Sequence, residues 1–288
     1  MMSHIFFFRI TLLFYFLGCV LFLLNLWDRR VIPLREEATP TTGLDPLGIT
    51  TAWHLLPVSQ RLAFLATGIG FLCHTVALLI RIQQVEVPFG SLQEAISFFS
   101  WAIVVVFFIV ELRYRVYVIG SFILPLAFLS LISAAALPQN PPRTFILKGA
   151  LLGVHTTLSL LGIVAFAIAA IAGVMYLLQE KLLKSKQLNA LYDKLPSLNL
   201  LDQWNKIALF LGFPLLTMGM ITGAIWSQYA LGSFWSSNNP KQILAISAWF
   251  FYFILLQGRI TVGWKARRTA RLAIFGFVGV VFIFVTLM

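Results

Sequence analysis

Charged residues are scarce in this chain. Asp, Glu, Lys and Arg together make up 11% of its 288 residues, while 60% of the residues are hydrophobic. An ordinary soluble domain is roughly a quarter charged, so the composition excludes a soluble enzyme. A helix needs about 20 apolar residues to cross a bilayer, and a chain of this length therefore has room for at most about eight or nine crossings with their loops. Little is left for a domain outside the membrane.

Cysteine is nearly absent, and so are the sequence motifs of soluble catalysis. The two cysteines, Cys19 and Cys73, each lie within an apolar run, which excludes a disulfide framework and a CxxC redox or metal site. The sequence contains no Walker motif, GxSxG, HExxH or GxGxxG between a strand and a helix. We therefore expect a protein that is not an enzyme by itself, although it can be a component of a larger complex. The histidines are His4, His54, His74 and His155.

What the sequence has instead is a series of long apolar runs. They fall at about 8–26, 62–80, 93–110, 116–136, 149–178, 207–226, 242–257 and 270–288. These runs predict an all-α, polytopic membrane protein with about eight transmembrane helices in a single transmembrane domain over residues 1–288. The fifth run is longer than one crossing needs, so it should tilt or extend beyond the membrane. No internal repeat is evident in the sequence.

The basic residues indicate the orientation of these helices. With eight crossings, 16 of the 21 Lys and Arg residues fall on one side of the membrane and 5 on the other. The positive-inside rule makes the first side cytoplasmic and places both termini outside. The first run should be retained as a helix, because Arg29 and Arg30 follow it without a small-residue cleavage site. Membrane topology thus accounts for the basic residues, and we expect the lipid bilayer and no nucleic acid as a partner.

Two of the predicted cytoplasmic segments differ from simple connections. Residues 28–60 contain several Pro and Gly residues and are predicted to form an irregular cytoplasmic loop. Residues 181–206 are predicted to form a cytoplasmic interfacial segment, because apolar residues recur at helical spacing from Leu188 to Trp204 among polar ones. Pro196 should divide this segment into two helices.

Two histidines lie within or at the edge of the predicted membrane helices. His74 lies in the second run, nearer its outer end, and His155 is predicted to begin the fifth helix near the same face. Ionisable residues at such depths are costly and indicate function by default. The two imidazoles could converge on one external site. The alternative is that each histidine only hydrogen-bonds a neighbouring helix.

Residues 227–241 are predicted to form an external loop rich in aromatic residues, with Trp226 directly before it and Trp235 within it. A planar macrocycle such as haem requires flat aromatic faces, an imidazole for its iron and cations for its propionates. Trp226, Trp235 and His155 would fill the first two roles. Tryptophan also collects at membrane interfaces without binding a ligand, so both interpretations stay open at this point. The cations on the same side are Arg143, Lys148 and Lys241.

Several segments follow one another in a characteristic order. FLCHTVALLIR contains His74, VPFGSLQEAISFFSW leads into the third run, and GVHTTLSLLGIVAFAIAAIAGVMYLLQEKLLK contains His155. LPSLNLLDQWNKIALFLGFPLLTMGMITGAIW then precedes the aromatic loop, and QGRITVGWKARRTARLAIFGF follows it. From the second run onward, this order resembles the cytochrome c assembly family of haem-handling membrane proteins, the CcsA, CcmC and HemX-like group. The hallmark of that family is an external tryptophan-rich loop close to WGxxWxWDPKET.

The resemblance implies roles for individual residues. His155 matches an external histidine that is an axial ligand of haem in the family, and His74 matches a histidine within the membrane. Both are therefore candidate ligands of haem iron. Trp235 and Lys241 match positions of the tryptophan-rich loop, and Trp226 lies just before it. These five residues form the haem site that the resemblance predicts.

The resemblance also implies a function, namely a cytochrome c maturation protein that binds or presents haem at the outer membrane face, or supports a subunit that does. The implied partners are haem, other cytochrome c assembly membrane proteins and, indirectly, apocytochrome c. The implied location is a bacterial cytoplasmic (inner) membrane or the equivalent organellar membrane. The tryptophan-rich loop of this sequence is degenerate, because Leu231, Ser237 and Asn238 stand where the family pattern has Trp, Trp and Asp. This degeneracy favours an alternative, a scaffold or regulator of haem biosynthesis that binds no haem. Gln257 also stands where the family has a second membrane histidine. A transporter is disfavoured because the apolar runs contain no acidic relay.

Overall fold

The structure is a computed structural model that describes residues 2–26, 57–84, 91–137, 146–186, 190–234 and 240–286. Within these ranges the regular structure consists of nine α-helices and one 3-10 turn at Tyr117–Ile119. The helices are α1 (Met2–Leu24), α2 (Val58–Gln84), α3 (Leu92–Tyr114), α4 (Gly120–Ala136), α5 (Ile146–Lys184), α6 (Ala190–Lys194), α7 (Leu198–Leu231), α8 (Pro240–Ile260) and α9 (Ala266–Thr286).

All helices except the short α6 correspond to the predicted crossings, since each of the eight overlaps one apolar run. Among the described residues, seven of these helices are long and apolar enough to cross a membrane, by length and composition. The eighth is α9, which has Arg267, Arg268 and Arg271 in its first two turns. The chain is therefore an all-α, polytopic integral membrane protein, and the fold class predicted from the sequence is confirmed.

The longest helices are α5, with 39 residues, and α7, with 34 residues. At 1.5 Å per residue these helices are roughly 58 Å and 51 Å long, whereas the hydrocarbon core of a bilayer is about 30 Å thick. The extra length predicted for the fifth apolar run is thus present as continuous helix. The predicted apolar runs are shorter than these two helices, because both helices continue into polar sequence.

The chain between α5 and α7 breaks at the predicted proline. The short α6 ends at Lys194, and α7 begins at Leu198 after Pro196. Ser197 caps α7, because its hydroxyl accepts a hydrogen bond from the Leu200 backbone N–H at 3.3 Å. The second half of the predicted 181–206 segment is therefore continuous with α7. That this segment lies at the membrane surface stays a prediction, and most of the predicted 28–60 loop lies outside the described residues.

The described chain forms two compact units. Unit 1 consists of Met1–Arg81, Ser100–Ser133 and Leu182–Pro196, and unit 2 consists of Ile82–Phe99, Ala134–Lys181 and Ser197–Met288. Both units are discontinuous in sequence, so each is completed by residues that are far apart along the chain.

An aromatic cluster fills the core of unit 1. The Phe64 ring stacks on Phe107 with centroids 5.7 Å apart, and Tyr117 meets Phe64 edge to face at the same separation. Phe22 of α1 contacts both Phe64 and Phe107 edge to face. Offset and edge-to-face pairs are the favoured arrangements of aromatic rings. These contacts join α1, α2, α3 and the 3-10 turn.

A polar network joins the C-terminal end of α1 to other parts of unit 1. The Ser59 hydroxyl of α2 donates to the Asn25 side-chain oxygen at 2.6 Å. Lys194, the last residue of α6, donates from its ammonium to the Asn25 backbone carbonyl at 2.6 Å. A cation is favourable at a helix C-terminus, where carbonyl groups lack intrahelical partners. The network therefore connects α6 directly to α1.

Unit 2 is joined by rings in its interior and by ions at one end. The Phe166 ring of α5 stacks on Tyr252 of α8 with centroids 3.5 Å apart and an interplanar angle of 4°. Arg259 of α8 donates to the Asp202 carboxylate of α7 at 2.5 Å and to the Thr269 hydroxyl of α9 at 3.4 Å. A single guanidinium thus links three helices.

The hydroxyl of Thr75 links α2 to α3 in unit 1. Thr75 donates to the backbone carbonyl of Phe71 at 2.8 Å, and the Trp101 indole N–H of α3 donates to the Thr75 oxygen at 2.9 Å. The Phe71 and Trp101 rings stack with centroids 5.8 Å apart. An interhelical hydrogen bond and a ring contact therefore occur at the same place.

The same arrangement recurs in unit 2. Thr217 of α7 donates to the carbonyl of Phe213 at 2.8 Å, and the Trp249 indole N–H of α8 donates to Thr217 at 2.9 Å. The Phe213 and Trp249 rings lie 5.4 Å apart. The two helix pairs thus share a Phe–Thr–Trp contact, although no repeat was evident in the sequence.

Candidate functional site

His155 lies on α5 and faces the backbone of α7. The helix begins at Ile146, so His155 lies nine residues inside it, and the prediction that this histidine begins the helix is wrong. The helix starts at Ile146, three residues before the predicted apolar run, and continues through Lys148. The imidazole is half-buried, and its Nδ1 lies 2.7 Å from the backbone carbonyl oxygen of Gly219. This is a hydrogen-bond distance.

The hydrogen-bond partner of His155 determines which tautomer its imidazole adopts. A carbonyl oxygen only accepts hydrogen bonds, so Nδ1 must carry the proton and donate it. In the neutral imidazole, Nε2 then has the free electron pair. Within the described part of the chain, Nε2 of His155 has no hydrogen-bond partner. The geometry therefore produces the tautomer that can bind a metal ion through Nε2.

Two glycines of α7 lie against this ring, and the sequence interpretation missed both. A Cβ atom at Gly223 would lie 2.5 Å from Nδ1 and 2.6 Å from Cε1 of His155. At Gly219 a Cβ atom would lie 2.9 Å from the backbone nitrogen of Ser159, one turn further along α5. The signal was present, since residues 219–223 read GMITG, a GxxxG motif typical of closely packed membrane helices.

Trp226 follows Gly223 by three residues and therefore lies about one turn further along the same side of α7. Its indole Nε1 is buried and has no hydrogen-bond partner among the described residues. A buried N–H without an acceptor is costly. The described residues thus supply no acceptor for the Trp226 indole N–H.

The end of α7 determines where the predicted aromatic loop begins. Gly232 caps the helix with φ of 77°, a left-handed conformation that favours glycine, and its N–H donates to the Gln228 carbonyl at 3.0 Å. The Ser227 hydroxyl donates to the Ser233 carbonyl at 2.8 Å. The helix therefore continues to Leu231, and the connection between α7 and α8 is shorter than the predicted 227–241 loop.

Some predicted site residues are only partly described. Trp235 lies outside the described residues. Lys241 is the second residue of α8, but its side chain is outside the description, as is that of Lys148, the third residue of α5. Their roles in a haem site stay predictions.

His74 has different surroundings in unit 1. Its side chain on α2 is 0% exposed, as is that of Tyr15 on α1. Nδ1 of His74 lies 3.3 Å from the Tyr15 hydroxyl, and the two rings meet edge to face with centroids 5.7 Å apart. His74 therefore belongs to the packing of α1 against α2. This arrangement matches the alternative in which the histidine hydrogen-bonds a neighbouring helix.

The two histidines belong to different units, His74 to unit 1 and His155 to unit 2. Their convergence on one external site therefore stays a prediction. Among the described residues, no three His, Cys, Asp or Glu side chains come together in a group that could hold a metal ion. Within unit 2, the His155 ring lies against Gly223 of α7, and Trp226 follows about one turn further along α7.

Comparison with known proteins gives consistent matches. The family model described as Cytochrome C assembly protein matches residues 89–288, a range that contains His155 and Trp226 but not His74. Proteins named cytochrome c biogenesis protein CcsA are also similar. The one from Heterosigma akashiwo is 27% identical over 226 residues, covering 66% of this chain and 70% of that protein. The one from Guillardia theta is 29% identical, covering 72% and 76%. The one from Gloeobacter violaceus is 27% identical, covering 81% and 85%.

Proposed function

Because the chain belongs to the cytochrome c assembly protein family, we propose that it acts in cytochrome c maturation by binding haem beside α5 and α7. In this proposal His155 would hold the iron. The relatives named above are cytochrome c biogenesis proteins, and haem is the group whose handling the family resemblance implies. The partners that follow are other cytochrome c assembly membrane proteins and, indirectly, apocytochrome c.

The observation that carries this proposal is the hydrogen bond between His155 and Gly219. It assigns the proton of the neutral ring to Nδ1 and leaves the electron pair of Nε2 for a ligand. Metal-binding histidines commonly donate their other ring N–H to a carbonyl or carboxylate, which orients the ring and makes the binding nitrogen more basic. The hydrogen bond from His155 to the Gly219 carbonyl fulfils that condition.

Trp226 supports the same site from α7. Its buried indole N–H has no acceptor among the described residues, and a haem propionate is an anionic acceptor. The indole ring also offers a flat face for a porphyrin. In this proposal Trp226 donates to the ligand and limits the access of water. Trp235 contributes a second aromatic face, and Lys241 pairs with a propionate, as the family resemblance implies.

His74 fits an iron ligand less well than His155. Its ring has no exposed surface, and its Nδ1 faces the Tyr15 hydroxyl, which can donate or accept and so does not fix the tautomer. We therefore assign the iron to His155. His74 stays a candidate for a second haem contact within the membrane, one that would require Tyr15 to move.

The proposed location of the haem is the outer membrane face. The distribution of basic residues supports this location, because the positive-inside rule predicts that the start of α5 and the end of α7 lie outside. The membrane itself would be a bacterial cytoplasmic membrane or the equivalent organellar membrane. Covalent attachment of haem requires reduced cysteines on the apocytochrome and a reductant, so that step belongs to a complex with other subunits.

The test is the absorption spectrum of the purified protein, oxidised and reduced. We expect haem to copurify with the wild type, and His155→Ala to lose most of it or to shift the spectrum. Added imidazole should partly restore the spectrum of His155→Ala, because it can replace the missing ligand. His4→Ala is the control and should change neither haem content nor spectrum.

Two results would contradict the proposal. An unchanged spectrum in His155→Ala would eliminate His155 as the iron ligand. A wild-type protein that neither contains haem nor takes it up would favour the scaffold or regulator of haem biosynthesis.

A further inference from the structure

We propose that Gly219 and Gly223 of α7 are positioning residues that set the tautomer and orientation of the His155 imidazole. This inference rests on the proposed function, in which Nε2 of His155 binds haem iron. Neither glycine touches the ligand in this account. Gly219 supplies a backbone oxygen. Gly223 has no side chain and therefore leaves space for the imidazole ring.

The first step concerns the carbonyl of Gly219. It accepts from His155 Nδ1 at 2.7 Å and from the Thr222 hydroxyl at 2.9 Å. A backbone oxygen has no hydrogen to donate and cannot change its role when the pH or the ligand changes. The Gly219 carbonyl therefore imposes the Nδ1–H tautomer, because it always accepts. A hydroxyl or a second imidazole could also donate and would not impose one tautomer.

The second step concerns the space above Gly223. A Cβ atom there would lie 2.5 Å from Nδ1 and 2.6 Å from Cε1 of His155, and 3.3 Å from Cγ. One edge of the ring therefore rests directly on the α7 backbone. Any other residue at position 223 would displace the ring and lengthen its hydrogen bond to Gly219.

The third step concerns the distance between the two helices. A Cβ atom at Gly219 would lie 2.9 Å from the Ser159 backbone nitrogen, and one at Gly162 would lie 2.9 Å from the Leu216 backbone nitrogen. The α5 and α7 backbones thus approach closely at two levels beyond His155. Small residues allow such approach in membrane helices, and this contact fixes the position of the His155 Cα relative to the Gly219 oxygen.

The test reads the His155 tautomer directly in the haem-free protein. We would label histidine with 15N, reconstitute the protein in lipid bilayers and record solid-state NMR spectra, with His155→Gln to assign the signal. The wild type should show a protonated Nδ1 and an unprotonated Nε2. Gly223→Ala should lose that pattern, because the methyl group displaces the ring.

A matched control is available in unit 2. Gly279 lies within α9, and a Cβ atom there would meet nothing within 4 Å. Gly279→Ala should leave the His155 signals and haem binding unchanged. When haem is added, Gly223→Ala should bind it about 10- to 100-fold more weakly than wild type, the usual effect of removing an outer contact to a metal ligand. A role in packing alone would not change the tautomer of a folded variant.

The outcomes separate this inference from the proposed function. A wild type with protonated Nε2 overturns the inference, even if Gly223→Ala does not fold. A folded Gly223→Ala with the wild-type tautomer and haem affinity also overturns it. If the tautomer depends on Gly223 but neither protein binds haem, the positioning role is supported and the haem function is overturned.

Discussion

His74 and His155 are both single imidazoles on long apolar helices, and the two units surround them with different chemistry. His74 is fully buried against the Tyr15 phenol of α1, whereas His155 is half-buried on the backbone of α7. A phenol can donate or accept, but a carbonyl can only accept. The carbonyl partner of His155 therefore fixes which ring nitrogen carries the proton, whereas the phenol partner of His74 does not.

The two environments should also differ in what they contribute to folding. Removal of a fully buried side chain leaves a cavity and leaves its partner without a hydrogen bond. Removal of a half-buried ring at the edge of a helix pair leaves a space that lipid or water can fill. Stability and ligand binding should therefore separate between the two histidines.

The largest expected effect on stability comes from His74. His74→Ala should lower the free energy of unfolding by about 2–4 kcal/mol, as large-to-small changes in cores do, and His155→Ala by no more than about 1 kcal/mol. Unfolding of each variant in mixed micelles by a denaturing detergent measures both values. Equal losses in the two variants would show that the environments do not differ as described.

The next-largest expected effect concerns the contribution of two ion pairs to the stability of unit 2. These ion pairs lie at the end of α5 that is remote from His155. Arg259 has a side chain 10% exposed and contacts Asp202, while Arg267 is 53% exposed and lies 3.2 Å from Glu180. Arg259→Ala should cost roughly 2–3 kcal/mol, because it leaves a partly buried carboxylate unpaired. Arg267→Ala should cost less than about 1 kcal/mol, because exposed ion pairs contribute little.

The same detergent titration measures this pair of variants, and the haem spectrum of each should stay that of the wild type. A loss of haem in Arg259→Ala at full stability would mean that the charged end of unit 2 is coupled to the His155 site. That result would show that stability and haem binding do not separate as expected from the comparison of His74 with His155.

The smallest effect compares the Phe–Thr–Trp contacts of the two units. Thr75→Val and Thr217→Val each remove one interhelical hydrogen bond of 2.9 Å, and each should cost about 0.6–1 kcal/mol. Thr156 is the control, because its hydroxyl bonds only the Leu152 carbonyl of its own helix. Thr156→Val should change stability by less than either, and unequal losses for Thr75 and Thr217 would show that the recurring contact is not equivalent in the two units.

Much of the fold could be predicted because apolar length is a local property. Each of the eight apolar runs became part of a helix, and Pro196 marks the break before α7. The ends of α5 and α7 were missed because helical hydrogen bonding continues into polar sequence where apolarity stops. The length of an apolar run therefore predicts a membrane crossing but not the full extent of the helix.

The candidate site was less predictable, because its chemistry depends on contacts across the sequence. His155 was identified as a ligand candidate, but its ring orientation depends on Gly219, which is 64 residues away. The GxxxG motif at 219–223 predicts close packing without naming the partner helix. Among the described residues the Trp226 indole N–H has no acceptor, and this depends on how distant parts of the chain pack, which no local pattern contains.

The contact between Lys194 and the carbonyl of Asn25 sets an order for biosynthesis. These residues are 169 positions apart, so at about 5–20 residues per second the ribosome needs roughly 10–30 s to produce the second after the first. During that interval α1 through α5 can enter the membrane, but the polar end of α1 lacks its cation. Unit 1 therefore reaches its final form only after the whole of α5, most of which belongs to unit 2, has been made.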